Sequence, residues 1–205
     1  MRTIAFLSQK GGSGKTTLAV HTAVAAQEAK ERVVVIDSDP QRSATTWSEA
    51  RKGAAPVVVT VSALDLEKVL AAARHDRMTL AIVDTAPHTA PDAARVARLA
   101  DLVVIPVRPS AFDIAAVGAT VTMLTAVSAR GCFVISAAPP RSPEIVDTRR
   151  ILEDYGLPVY GGEITDRRAF ARAVASGRAV TEFDAEGKAA AEIRSLWKWI
   201  KGRTK

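Results

Sequence analysis

The sequence predicts an α/β layer sandwich on a mostly parallel, doubly wound β-sheet flanked by helices. Three observations carry that expectation. Aliphatic runs alternate with helix-like segments along the whole chain, the pattern of right-handed βαβ units. The runs are continuously apolar, as strands covered on both faces require. A glycine-rich turn, Lys10 to Thr17, joins the first run to the first helical segment, where open parallel sheets bind ligands. A chain of 205 residues suits one such sandwich, so residues 1–205 are expected to form a single domain.

The first run, Ile4-Ala5-Phe6-Leu7, leads into Lys10-Gly11-Gly12-Ser13-Gly14-Lys15-Thr16-Thr17. Its three glycines let consecutive backbone N–H groups curl around an anion with no Cβ in the way. The helix expected over 14–29 then points its positive end at the same anion. Lys15 is placed to reach β and γ phosphates, and the Thr16 hydroxyl to sit on Mg²⁺. The strict G-x-x-x-x-G-K-[ST] pattern needs glycine at position 9, where this chain has Gln9, and the chain offers Lys10 instead. A second lysine is redundant within one subunit. It makes sense if it reaches phosphates held by a neighbouring subunit.

Val33-Val34-Val35-Ile36 is a second buried strand, ending in Asp37-Ser38-Asp39-Pro40-Gln41. Carboxylates there overlook the nucleotide crevice, although Asp39 could instead cap a helix beginning near Gln41. Leu80-Ala81-Ile82-Val83 ends in Asp84, a Walker B pattern that puts this carboxylate on a magnesium-bound water. Thr85-Ala86-Pro87-His88 follows as a second switch, with His88 read as a surface residue. Further strands are Leu102 to Val107, with Pro106 inside it, and Cys132 to Ser136, which runs into Pro139 and Arg141. A shorter strand is expected over 57–61, and 159–164 should close one edge. Helices are expected over 14–29, 41–51, 65–74, 91–98, 113–129, 143–155, 168–176 and 186–202.

The double-lysine loop resembles the deviant Walker A motif of the ParA/MinD ATPases, K-G-G-x-G-K-[ST]. With the D-x-D-P-Q segment, the first switch of that family, and the strand ending at Asp84 before the second, the resemblance spans nearly the whole chain. It implies the P-loop NTPase fold, ATP and Mg²⁺ as ligands, and an ATP-dependent homodimer with Lys10 touching the partner's phosphates. Asp37 and Asp84 would then hold the metal with Thr16, and Asp39 would orient or deprotonate the attacking water. Gly11, Gly12, Ser13, Gly14 and Thr17 would complete the phosphate cradle. Pro106, Pro139 and Arg141 are the candidates beside the nucleotide. Relatives often carry Asn or Thr at the end of the strand before Pro139, and here Ser136 and two alanines stand instead. The preference for ATP over GTP therefore rests on the resemblance, with no N-K-x-D-like guanine reader present.

Absences narrow the field. No apolar stretch approaches membrane-spanning length, and the first residues carry no secretory signal, so a cytoplasmic location is expected. The lone cysteine, Cys132, reads as a core residue and excludes relatives that bridge an iron–sulfur cluster with paired cysteines. A tyrosine-rich tail like that of kinase relatives is missing. The helix-turn-helix ahead of the loop in longer family members is also absent, so the short, regulator-free type is expected.

Net charge supplies the second clue. Of 28 Lys/Arg against 22 Asp/Glu overall, residues 165–205 hold ten against five. Arg194, Lys198, Lys201 and Lys205 are spaced to share one helical stripe, beside an apolar stripe of Ile193, Leu196, Trp197 and Ile200. Arg167, Arg168 and Arg172 cluster upstream, with Arg178 just beyond. This end reads as a sequence-independent DNA surface, as a basic membrane helix with Trp197 and Trp199, or as a solvated face. By resemblance the output is plasmid or chromosome partition over the nucleoid, with a centromere-binding partner that stimulates slow hydrolysis, since no arginine finger is evident near the switches. Alternatives are positioning of a protein cargo, such as a carboxysome or chemoreceptor cluster, and a membrane-recruited division regulator. A small-molecule synthetase on the same scaffold fits the D-x-D-P-Q segment poorly.

Overall fold

The computed structural model describes residues 1–51, 55–87 and 90–204, with Ala90 described by its backbone. His88 and Lys205 lie outside the described residues. Six strands form one all-parallel sheet: β1 (Arg2–Phe6), β2 (Val33–Asp37), β3 (Val57–Thr60), β4 (Leu80–Asp84), β5 (Leu102–Val107) and β6 (Gly131–Ile135). Their order is β3-β2-β4-β1-β5-β6. The chain therefore leaves the central strand β1 in one direction and returns past it later, which opens a crevice at the carboxyl ends.

Strand alternation sends side chains to two cores. On one face Ile4, Phe6, Val35, Ile82 and Val134 meet α1 (Lys15–Glu28), α2 (Ser43–Ala50), α8 (Arg168–Ala175), α9 (Val180–Phe183) and α10 (Lys188–Lys201). On the other, Ala5, Ile36, Val83, Ile105 and Phe133 meet α3 (Leu66–His75), α4 (Ala90–Leu99), α6 (Val117–Ala126) and α7 (Glu144–Glu153). Both faces are covered, which explains the unbroken apolar strand runs.

Two expected elements differ. The helix anticipated over 113–129 is split into α5 (Ala111–Ala115) and α6, because the chain tightens at Ala116, whose N–H bonds Asp113 and Ile114 carbonyls. The segment 159–164 is no full edge strand, making only bridges at Val159 and Thr165. Gly161 and Gly162 break the ladder, and the Tyr160 ring occupies the space a Cβ on Gly162 would need, 2.9 Å away. Tyr160 and Ile164 still donate backbone bonds to Phe133 and Ile135.

Helix α1 is buried along most of its length, with Leu18, Val20, Val24 and four alanines facing the sheet or α10. Small residues let α10 approach closely. Buried among them, His21 accepts a 3.1 Å hydrogen bond at Nδ1 from the Val180 N–H, and its ring meets Phe170 edge-on. Burial drives its pKa from 6.5 down to about 3, against a weak upward pull from Glu182. The unfolded chain thus takes up a proton that the fold refuses. Stability present above pH 6.5 should fall by on the order of a few kcal/mol as pH drops toward 3. Glu31 contributes only lower down. Burial raises its pKa, but hydrogen bonds from Arg2, Thr79 and Lys201 outweigh that and hold it at about 2. His21→Asn, which keeps an acceptor for Val180, should flatten the loss between pH 6.5 and 4.5 in thermal melts. An unchanged profile would remove His21 as its source.

Candidate functional site: a phosphate loop between two grooves

The loop expected from sequence lies at the carboxyl end of β1. Gly12 and Gly14 adopt φ of 74° and 97°, conformations that cost an L side chain dearly. The Ser136 hydroxyl, at the end of β6, donates 2.7 Å to the Ser13 carbonyl and pins the turn from below. Lys15, 6% exposed, folds back over the loop, its Nζ donating 3.0 Å to the Lys10 carbonyl. Burial lowers the Lys15 pKa, and the nearby Asp84 and Asp39 carboxylates pull the other way.

The two strand-end aspartates stand side by side, since Asp37 and Asp84 are register partners on β2 and β4. Their chemistry differs. Asp37 Oδ2 accepts from both the N–H and the hydroxyl of Thr45, each at 2.8 Å, and Oδ1 accepts from Asp39 N–H. It anchors the loop that leads into α2. Asp84 is fully buried, and among the described residues its oxygens make no hydrogen bond of good geometry, the Thr16 hydroxyl being the group close enough to favour its charge. Burial pushes its pKa up to about 7, helped by Asp37 and Asp39 and opposed by Thr16 and Lys15. An orphaned carboxylate at this depth is costly unless a cation completes it. Among the described residues no cluster of three His, Cys, Asp or Glu is gathered, which suits a hard cation held mainly by phosphate and water. Of the three expected metal residues, Thr16 and Asp84 could hold such a cation, whereas both Asp37 oxygens are already engaged by Thr45 and Asp39.

Asp39 is half-buried and points into a cavity of roughly 350 Å³, which is also lined by Lys15, Thr16, Gln41 and Pro87. Its Oδ1 accepts from the Gln41 N–H at 2.8 Å. That is a local turn, and α2 starts two residues later with no side-chain cap. Asp84→Asn gives a test of the metal reading. It removes an uncompensated charge, so the free protein should melt higher than wild type, while stabilisation by Mg·ATP should largely vanish. A variant still stabilised as much as wild type in calorimetry would exclude Asp84 from the metal.

A second cleft, roughly 290 Å³, adjoins the first across Gly12, Gly14 and Thr17 and is walled by Ser136, Ile164, Asp166, Arg167 and Phe170. The three further candidates for contact with the nucleotide do not line this cleft. Pro106 is inside β5, facing α5 and α6. Pro139 lines a third groove with Lys10 and Arg108. Arg141 is exposed on the following turn, with φ of 60°. The cleft is instead closed by the 164–167 segment, whose backbone is tied to Ala138. Neither spacing nor composition marked it. Thr45, which positions Asp37, carried no sequence signal either.

The expected basic surface is also regrouped. Arg167 borders the cleft and is pinned to Glu192 at 2.7 Å. Lys201 pairs with Glu31 at 2.9 Å, and Arg194 lies 3.6 Å from Glu28 while bonding the Ala185 carbonyl. These three are engaged within the chain. Arg168, Arg172 and Lys198 are exposed without an ion pair among the described residues. Trp197 is 4% exposed in the core, and Trp199 is held between the Tyr160 ring and the Arg203 guanidinium. Neither indole faces outward as a membrane anchor would, and among the described residues no helix is long and apolar enough to cross a bilayer.

A family model described as the CobQ/CobB/MinD/ParA nucleotide binding domain matches residues 4–180. The chain belongs to this family. The maintenance of carboxysome distribution protein A of Gloeobacter kilaueensis is 34% identical over 97% of this chain and 92% of its own length. A ParA protein of Rhizobium radiobacter is 27% identical over 83% and 81%. The apo structure of McdA from Cyanothece covers 100% of both chains with a TM-score of 0.78 at 15% identity. The MinD cell division ATPase of Pyrococcus furiosus covers 98% of both at 0.79 and 16%. The ParA/MinD fold is therefore the P-loop α/β sandwich seen here.

Proposed function

We propose that this ParA/MinD-type chain is an ATP-timed association switch that rides on DNA while positioning a cargo. The observation that carries the reading is the separation of its two loop lysines. Lys15 lines the pocket beside Asp39, whereas Lys10 lines the outer groove with Arg108 and Phe112. A lysine turned away from its own phosphate pocket suits contact with a triphosphate held by a second copy. Two subunits would close face to face, each Lys10 on the other's phosphates. Gly11 to Thr17 cradle the phosphates through backbone N–H groups, and the cleft at Ser136 and Phe170 takes the base. Magnesium, held by Thr16 and Asp84 when bound, would neutralise phosphate charge. Asp39 orients the attacking water and accepts its proton. Loss of the γ-phosphate releases both switch segments, and the pair opens.

Closure doubles the basic surface, so DNA affinity rises through avidity. Of the candidates, Arg168, Arg172 and Lys198, exposed and without an ion pair among the described residues, would bind DNA phosphates, and Arg167, Arg194 and Lys201 drop to supporting roles. A cargo adaptor would stimulate turnover, and the protein would work in the cytoplasm on the nucleoid. Resemblance over 97% of the chain to a carboxysome-distribution protein favours a protein cargo, and plasmid or chromosome partition is the second reading. Co-sedimentation with DNA and with anionic liposomes, with and without a non-hydrolysable ATP analogue, tests the switch. The expected result is nucleotide-dependent DNA binding that salt weakens. The triple change Arg168→Ala, Arg172→Ala, Lys198→Ala should make the salt dependence shallower, by roughly 0.9 in slope for each DNA phosphate no longer neutralised. Binding to liposomes alone, or DNA binding indifferent to nucleotide, would contradict the proposal.

A further inference from the structure

We infer that Arg108 acts in trans beside Lys10, its guanidinium held ready for the triphosphate bound by a second copy of this chain. This rests on the association switch proposed above and adds to it a cation that the sequence did not reveal. Arg108 follows β5 and is braced from one side only. Its Nε donates 3.0 Å to Asp113 Oδ1 and its Nη2 donates 3.1 Å to Oδ2. Asp113 is itself buried and fixed by the Ser110 hydroxyl at 2.7 Å. The fork geometry makes such a pair rigid. Nη1 remains without a partner among the described residues. It stands 3.7 Å from where a Cβ on Gly12 would lie, at the outer lip of the phosphate loop.

The groove beside it, roughly 330 Å³, also holds Lys10, Phe112 and Pro139. Lys10 Nζ lies over the Phe112 ring at 5.7 Å. Among the described residues the one carboxylate there, Asp113, is already neutralised by Arg108, so Lys10 gives the groove a net positive charge. Neither cation borders the cavity that holds Lys15 and Asp39. A positive groove that shares the loop but faces away from its phosphate pocket is complementary to phosphates arriving from outside. The apolar surround suggests that another copy of the chain delivers them. Phe112 is 80% exposed, and α7, which packs on α5, leaves Val146 71% exposed. Exposed apolar side chains flanking fixed cations are typical of an interface core with charged anchors. Held by Asp113, the guanidinium has little entropy to lose on docking and develops its contacts as the pair closes.

The test uses the full chain with AMPPNP, measuring dimerisation by sedimentation and fluorescent-nucleotide affinity at dilutions where the protein is monomeric. Arg108→Ala should weaken the AMPPNP dimer by roughly tenfold or more and leave monomer affinity unchanged. Arg108→Gln, which can still bond Asp113, should weaken it similarly and should melt like wild type. Arg108→Lys should fall between. Lys10→Ala, run in parallel, separates the two readings. If Lys10→Ala also leaves the dimer intact, the association switch itself fails. If Lys10→Ala abolishes the dimer while both Arg108 variants dimerise normally, only the role of Arg108 is overturned. Reduced nucleotide affinity of the Arg108→Gln monomer would place the arginine on its own nucleotide and overturn the inference equally.

Discussion

Lys15→Ala is expected to abolish nucleotide binding without unfolding the protein. The ammonium group is nearly buried, with the Lys10 carbonyl as its hydrogen-bond partner among the described residues and two carboxylates nearby. It is a charge held out of water in readiness for an anion. Removing it relieves a desolvation cost in the free protein but leaves a bound triphosphate with an uncompensated buried charge. Breaking such a pair from one side costs about 3–5 kcal/mol, which corresponds to roughly a hundredfold or more in affinity. Titration calorimetry with ATP and Mg²⁺ reads this directly, and thermal melting should show equal or greater stability without nucleotide. Wild-type affinity in this variant would mean that the loop does not bind phosphates as described.

Asp39→Ala should separate binding from turnover. Losing a positioned base or water-orienting group costs typically 10²–10⁴-fold in rate, on the order seen for general acid–base groups. ATP should still bind, so the closed pair should accumulate and stay on DNA. Asp39 also accepts the Gln41 N–H, and alanine removes that turn hydrogen bond along with the carboxylate. Asp39→Asn is the discriminating partner, since its amide oxygen keeps the turn but cannot take a proton. Both variants should hydrolyse slowly in a phosphate-release assay. If Asn turns over like wild type while Ala does not, Asp39 works only as a turn former.

The glycine-rich loop was legible because it is local. A phosphate loop needs glycines, a lysine and a hydroxyl within eight consecutive positions, and backbone geometry dictates that spacing. The strands were equally plain, since burial on both faces leaves uninterrupted apolar runs. What escaped depends on how distant segments pack together. The cleft beside Ser136 is closed by residues near Thr165 that lie beside the loop only because the chain after β6 follows the sheet edge. The partial loss of that edge strand turned on Gly161 and Gly162, whose effect depends on where the Tyr160 ring packs. The sequence assigned Arg108 no role of its own. Its meaning depends on Asp113, five residues on, and on the chain bringing Gly12 alongside. The basic end shows the same limit. Charge counting found the surplus, yet Glu28 at the end of α1, Glu31 just beyond it, and Glu192 within α10 itself absorb three of the candidate cations.

The central claim is that the γ-phosphate controls association through Lys10. Light scattering coupled to sizing, with ADP in one run and a non-hydrolysable ATP analogue in another, measures that control directly. The wild-type chain should elute as a monomer with ADP and as a dimer with the analogue, and Lys10→Ala should stay monomeric in both while still binding nucleotide. A wild-type chain of the same mass in both runs, with its nucleotide site saturated, would contradict the account.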